Sequence, residues 1–146
     1  MTRQVELMTI GYQGRTIGGL LGALDGADVE LLIDIRTKPL SRKPGFSKSV
    51  LARQLEAHGI DYMHLPELGM PSHLLAIKES LRDNTPILDE YRSLLPELQD
   101  AIDFLCQVAF QQRACLLCFE ANVNQCHRGV VAEHLVKERC LSIRHL

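Results

Sequence analysis

A chain of 146 residues with 46% hydrophobic and 23% charged side chains can bury a real core, and that balance excludes a disordered segment. Its formal charge of −2 excludes a global pull toward nucleic acid or anionic membrane. No apolar run approaches the roughly 20 residues of a bilayer span, and Met1–Glu6 carries no apolar signal core, so the expected location is cytoplasmic.

Apolar strand-like runs alternate with helical stretches along the chain. Leu7–Ile10 reads as a first strand, followed by the turn Gly11-Tyr12-Gln13-Gly14. Thr16 can cap a helix to about Leu24, although Gly18, Gly19 and Gly22 weaken it by roughly 1 kcal/mol each. Val29–Ile35 is the clearest strand, and its unbroken apolar run suits a parallel sheet covered on both faces. The basic, proline-bearing loop Arg36–Phe46 precedes a helix opened by Ser47 or Ser49, with Val50, Leu51 and Leu55 on one face and Gly59 past its end.

Ile60–Leu65 predicts a third strand with the loop Pro66–Pro71 after it. Ser72 can cap a helix through Arg82, broken at Asp83–Pro86. Helical segments surround Pro96, and in Glu97–Gln112 the inward stripe is Leu98, Ile102, Leu105 and Ala109. Ala114–Phe119 is a buried strand, Gly129–Arg139 an amphipathic helix, and Ser142–Leu146 a last short strand or tail. With no repeat or linker, residues 1–146 form one α/β domain. Its expected core is an open, mostly parallel sheet of about four to five strands with helices on both faces.

The five cysteines (Cys106, Cys115, Cys118, Cys126 and Cys140) are odd in number, without disulfide-framework spacing, and read most simply as free thiols. Cys115 and Cys118 form a C-x-x-C, yet inside a strand residues three apart point to opposite faces. No second C-x-x-C completes a zinc site, so both read as buried core thiols.

Ligands of open α/β sheets bind beyond the carboxyl ends of the strands. That rule gathers Asp34, Arg36 and Arg42 after the second strand, Glu67 after the third, and Glu120 with Cys126-His127-Arg128 after the fourth. The last three residues fall in a helix's first turn, where free N–H groups and the helix dipole favour an anion. Cys126 is there either a nucleophile or a small packed residue, and His127 a general base or a metal ligand. A metal shared with His134 is disfavoured by the separation of about 10 Å along the helix. Arg128 needs an anionic partner, either a ligand or the carboxylate of Asp34 or Glu120. Adjacent strands would bring Asp34 and Glu120 together as an acid–base pair. A C-x5-R phosphatase loop is excluded because position 132 is Ala132, and the Glu120–Gln125 interval spoils a rhodanese-type match. Arg36, Lys38, Arg42, Lys43 and Lys48, with no acid among them, make a local positive patch.

Five ordered stretches carry a resemblance: Thr9-Ile10-Gly11-Tyr12; Leu31–Arg36 with Pro39-Leu40-Ser41-Arg42; Pro44-Gly45-Phe46-Ser47; His64–Gly69; and Leu117–Glu120 with Cys126-His127-Arg128. Together they resemble the Domain of Unknown Function 488 family over nearly the whole chain. The resemblance implies a compact α/β domain with signature polar residues at Asp34, Arg36, Arg42, Glu67, Glu120, Cys126, His127 and Arg128, and it implies no substrate. Three readings stand: an enzyme acting on a phosphate-bearing nucleotide or nucleic-acid substrate; a nucleic-acid-binding module without chemistry; and a thiol-based redox or metal sensor. In the first, Asp34, Glu120, Cys126 and His127 are catalytic, while Arg36, Arg42, Glu67 and Arg128 bind ligand. No cofactor, metal site or membrane contact is expected.

Overall fold

The computed structural model describes residues 5–139 and 141–146, so the N-terminal stretch 1–4 and Cys140 lie outside the described residues. Its elements in order are β1 (Glu6–Gly11), α1 (Ile17–Gly26), β2 (Leu31–Asp34), α2 (Lys48–Ala57), β3 (Asp61–His64), α3 (Ser72–Lys78), α4 (Thr85–Leu94), α5 (Gln99–Gln111), β4 (Ala114–Cys118), α6 (His127–Arg139) and β5 (Ser142–His145). Short 3-10 turns lie at Pro66–Leu68, Leu95–Leu98 and Val123–Gln125.

The strands form one five-stranded parallel sheet in the order β3-β2-β4-β1-β5. The architecture is the α/β type that the alternating runs predict. Parallel neighbours need crossovers, and the helices that supply them cover both faces. Leu20, Leu21 and Leu24 of α1 and Leu51 and Leu55 of α2 pack on Met8, Ile10, Leu32, Cys115 and Leu117. The opposite face holds Leu31, Ile33, Leu116 and Cys118 under Tyr91 of α4, Ile102 and Leu105 of α5, and Val131 and Leu135 of α6. Cys115 and Cys118 thus point to opposite faces, as the period of two requires.

Local signals fare unevenly at element ends. Thr16 caps α1 by accepting from the Gly19 N–H at 3.0 Å, and the helix survives its glycines because three leucines are buried beneath it. Ser72 is instead the first residue of α3, with Pro71 ahead of it in the cap position, and the helix stops at Lys78 rather than Arg82. Pro86 does not simply break the chain. It sits in the first turn of α4, where a missing N–H costs nothing. Val50 is turned outward, because the buried stripe of α2 is Leu51 and Leu55, one full turn apart.

Complete burial pushes the Cys115 thiol far above its ordinary range. Alkylation of the native protein at mildly alkaline pH should therefore leave the Cys115 peptide unmodified, and unfolding should make it react. Peptide mapping by mass spectrometry reads both, and rapid labelling of Cys115 in the folded state would contradict this packing.

Candidate functional site

β1 and β2 send their connections to the α1/α2 face, whereas β4, lying between them, sends its chain to α6 on the other face. Adjacent strands whose connections diverge leave a crevice at their carboxyl ends, where ligands of such sheets bind. A cavity of about 160 Å³ opens there. Tyr12 enters it from the end of β1, Arg36, Thr37, Lys38 and Leu40 from β2, and Met70 from β3. Cys118, Phe119 and Glu120 come from β4, Leu75 and Lys78 from α3, and His127 from the start of α6.

Asp34 is fully buried and serves as the acceptor hub beneath this cavity. Arg36 donates to it through Nε at 2.9 Å, Nη2 at 2.7 Å and its backbone N–H at 3.1 Å, and the Tyr62 hydroxyl donates at 2.5 Å. Arg36 also donates through Nη1 to the Phe46 carbonyl at 2.7 Å and to the Tyr12 hydroxyl at 3.3 Å. Burial opposes the charge on Arg36, but the Asp34 carboxylate more than offsets it and holds the guanidinium firmly protonated. Burial and the same carboxylate push the Tyr62 phenol well above its ordinary value. The His64 Nε2–H donates to the Arg36 carbonyl at 2.7 Å, tying β3 to the same loop. Tyr12, stacked on Phe46 at 4.6 Å and edge-on to Phe119 at 5.2 Å, walls one side of the cavity.

Glu120 does not join Asp34. β2 and β4 are adjacent, but Asp34 shares the side of the sheet that packs on α1 and α2, whereas Glu120 turns to an ion pair with Lys78 of α3. Burial lowers the pKa of the Lys78 ammonium. The Glu120 Oε2 atom lies 3.5 Å from the Cys118 sulfur.

Cys118 and Cys126 are joined by a disulfide that closes the loop between β4 and α6. This corrects the expectation of free thiols at both positions, while Cys106 and Cys115 are free. Period-two alternation gives the face a strand residue occupies, but not what returns to that face eight residues later. Cys126 is 1% exposed, extended (φ −131°, ψ 141°), and stands immediately before α6 rather than in its first turn. His127 opens the helix, packs edge-on to Tyr91 at 5.3 Å, and donates from Nε2 to the Ile35 carbonyl at 3.0 Å. Burial pushes its pKa down to about 4, so the imidazole is neutral at pH 7.

Arg128, 1% exposed, meets neither carboxylate. It donates to the Glu120 carbonyl at 2.9 Å, the Ala121 carbonyl at 3.3 Å and the Thr9 hydroxyl at 3.3 Å, and burial lowers its pKa. The guanidinium thus pins the loop after β4 to Thr9 within β1. Gly129 behind it permits the loop to close, since a Cβ there would lie 2.3 Å from the Val123 carbonyl oxygen.

The structure brings Arg36, Glu120 and His127 to one cavity, with Asp34, Cys126 and Arg128 buried around it. Arg42 and Glu67 are exposed and are not among its lining residues. The basic patch divides: Arg36 is paired inside, Lys43 donates to the Tyr12 carbonyl at 3.1 Å, and Lys38, Arg42 and Lys48 face solvent. Lys78 and Cys118 were missed as site residues. Cys118 had a partial signal, as a strand-end thiol eight residues before Cys126; Lys78 had none, because α3 reaches the cavity only through tertiary packing.

A family model described as "Domain of unknown function DUF488" matches residues 16–135. The chain belongs to this family. No curated protein and no solved structure matches it. Membership in DUF488 agrees with the resemblance carried by the five ordered stretches, and the matched segment runs from the cap of α1 into α6. Among the described residues of this DUF488 domain, no helix is long and apolar enough to cross a membrane.

Proposed function

We propose that this cavity is an anion site, and that the protein is an enzyme acting on a phosphate-bearing group of a nucleotide or of a nucleic-acid end. The observation that carries the reading is that three cations line the cavity: Asp34 pairs with Arg36 and Glu120 with Lys78, while Lys38 meets no carboxylate among the described residues. Arg36 is ion-paired with Asp34, and four of its five guanidinium N–H groups already bond Asp34, Tyr12 and Phe46, so its part is to fix the cavity wall rather than to grip the ligand. Lys78 is the exchangeable cation, since an entering phosphate can take the place that Glu120 holds beside it. The displaced Glu120 is then available as acid–base group, and Thr37 and neutral His127 border the same space.

Size narrows the substrate. Pockets for whole drug-sized ligands run to roughly 300–1,000 Å³, so about 160 Å³ fits one phosphate with part of its sugar and leaves the remainder outside. Lys38, exposed in the cavity lining, and the exposed Arg42 and Lys48 of the segment that follows it suit the phosphates of a longer chain.

Thermal melts of the oxidised protein test this. Phosphate or pyrophosphate at about ten times its Kd should stabilise by roughly 1.4 kcal/mol, a rise of about 3–6 °C for a domain of this size. Lys78→Met should abolish the rise, and Arg42→Ala should preserve it. An absence of any shift, or an undiminished one in Lys78→Met, refutes the proposal.

A further inference from the structure

The sulfurs of Cys118 and Cys126 and a ring nitrogen of His127 all lie within 4.8 Å of one another, and all three residues are buried. Two thiolates and an imidazole are the donor set that zinc-class cations select. Around a tetrahedral ion with metal–sulfur bonds of about 2.3 Å, such donors stand about 3.8 Å apart, so once the disulfide is opened the two sulfurs separate from bonding distance to that spacing, with the imidazole nitrogen already within 4.8 Å of both. Adjacent residues of one helix rarely chelate the same ion, but Cys126 is not helical. Its extended backbone ahead of α6 turns Cys126 and His127 toward one point.

A second observation is independent of the cysteines. Metal-bound histidines usually donate their other ring N–H to a carbonyl or carboxylate, which fixes tautomer and orientation. The Nε2–H of His127 already donates to the Ile35 carbonyl at 3.0 Å, which leaves the Nδ1 lone pair for an ion. Cys118, Glu120 and His127 also line the cavity, with Glu120 Oε2 3.5 Å from the Cys118 sulfur. A fourth position, for Glu120 or for a bound group, therefore faces the opening.

We infer that the reduced protein holds one zinc-class divalent cation through Cys118, Cys126 and His127, and that the disulfide is the metal-free oxidised form. Reduction by a phosphine, with water, delivers two electrons to the sulfur–sulfur bond. It yields two thiols and the phosphine oxide. Binding the cation then replaces the two thiol protons, which pass to solvent. The inference stands on the thiol–imidazole cluster alone and does not depend on the anion reading.

The test is titration of the full chain, reduced with a phosphine and freed of reductant without air, using cobalt and then zinc ions. Reduced protein should take up one equivalent of cobalt with sulfur-to-cobalt charge-transfer absorption, which zinc then displaces. Oxidised protein should take up none. Cys126→Ala should weaken zinc binding by at least about a hundredfold, whereas a variant carrying Cys106→Ala, Cys115→Ala and Cys140→Ala should bind as the native chain does. Reduced native protein that stays folded by circular dichroism without charge-transfer absorption overturns the inference, as does equal uptake by the oxidised form or undiminished affinity in Cys126→Ala. If reduction unfolds the chain and cobalt does not restore its ellipticity, the inference also fails. Phosphate stabilisation is read on oxidised, metal-free protein, so either proposal can fail without the other.

Discussion

Asp34→Asn should lower the unfolding free energy by about 3–5 kcal/mol, because it leaves a buried guanidinium without its counter-charge. Asp34 is 0% exposed and accepts four hydrogen bonds, three from Arg36 and one from Tyr62. The carboxamide has nearly the same shape but turns one acceptor into a donor, so an N–H must face an N–H or O–H that has no other partner. Replacing both partners, as in Asp34→Asn with Arg36→Met, should recover part of the loss because no unpaired charge remains buried. Urea denaturation of the single and the double variant measures this. A single-variant loss below about 1 kcal/mol would show that water, rather than Asp34, solvates Arg36.

Gly11→Ala should cost at least about 3 kcal/mol, at or beyond the upper end of ordinary overpacking, and should also disable the cavity. The Cβ would lie 1.8 Å from the Glu120 carbonyl oxygen and 2.6 Å from its carbon, and both are backbone atoms that no rotamer change can remove. β1 and the chain leaving β4 are held together at this point, by Tyr12 N–H to the Cys118 carbonyl at 3.2 Å and Gln13 N–H to the Phe119 carbonyl at 2.8 Å. Room for a methyl group therefore requires moving Phe119–Ala121, which carries Glu120 away from Lys78 and takes two acceptors from Arg128. Gly22→Ala is the contrasting case. Its Cβ would meet nothing within 4 Å on α1, and removing a helical glycine should stabilise by about 0.5–1 kcal/mol. Equal behaviour of the two variants in thermal melts would contradict the close approach at Gly11.

The same contrast explains what could be read early and what could not. Continuous runs such as Leu31–Asp34 and Ala114–Cys118 announce strands buried on both faces, and the stripe Ile102, Leu105 and Ala109 announces a helix against them. These are local patterns, set by which residues tolerate water. Element ends were less legible, as Ser72 and Pro86 show, because a cap depends on where the neighbouring loop returns.

The site shows the same division. That Asp34, Arg36, Glu120 and His127 collect at one sheet edge follows from strand-end position in a parallel fold, which composition and periodicity alone already required. Their partners were decided elsewhere. Asp34 turns to Arg36 and Tyr62 because its strand parity faces α1 and α2, Glu120 turns to Lys78 because α3 packs back over the cavity, and Arg128 finds carbonyls and a hydroxyl rather than the carboxylate of Asp34 or Glu120. Cys118 and Cys126 meet only because the loop after β4 doubles back onto the strand it has just left. Periodicity encodes which face a side chain occupies. The choice among oppositely charged or sulfur-bearing partners is a matter of a few ångströms between segments distant along the chain, and only packing sets those distances.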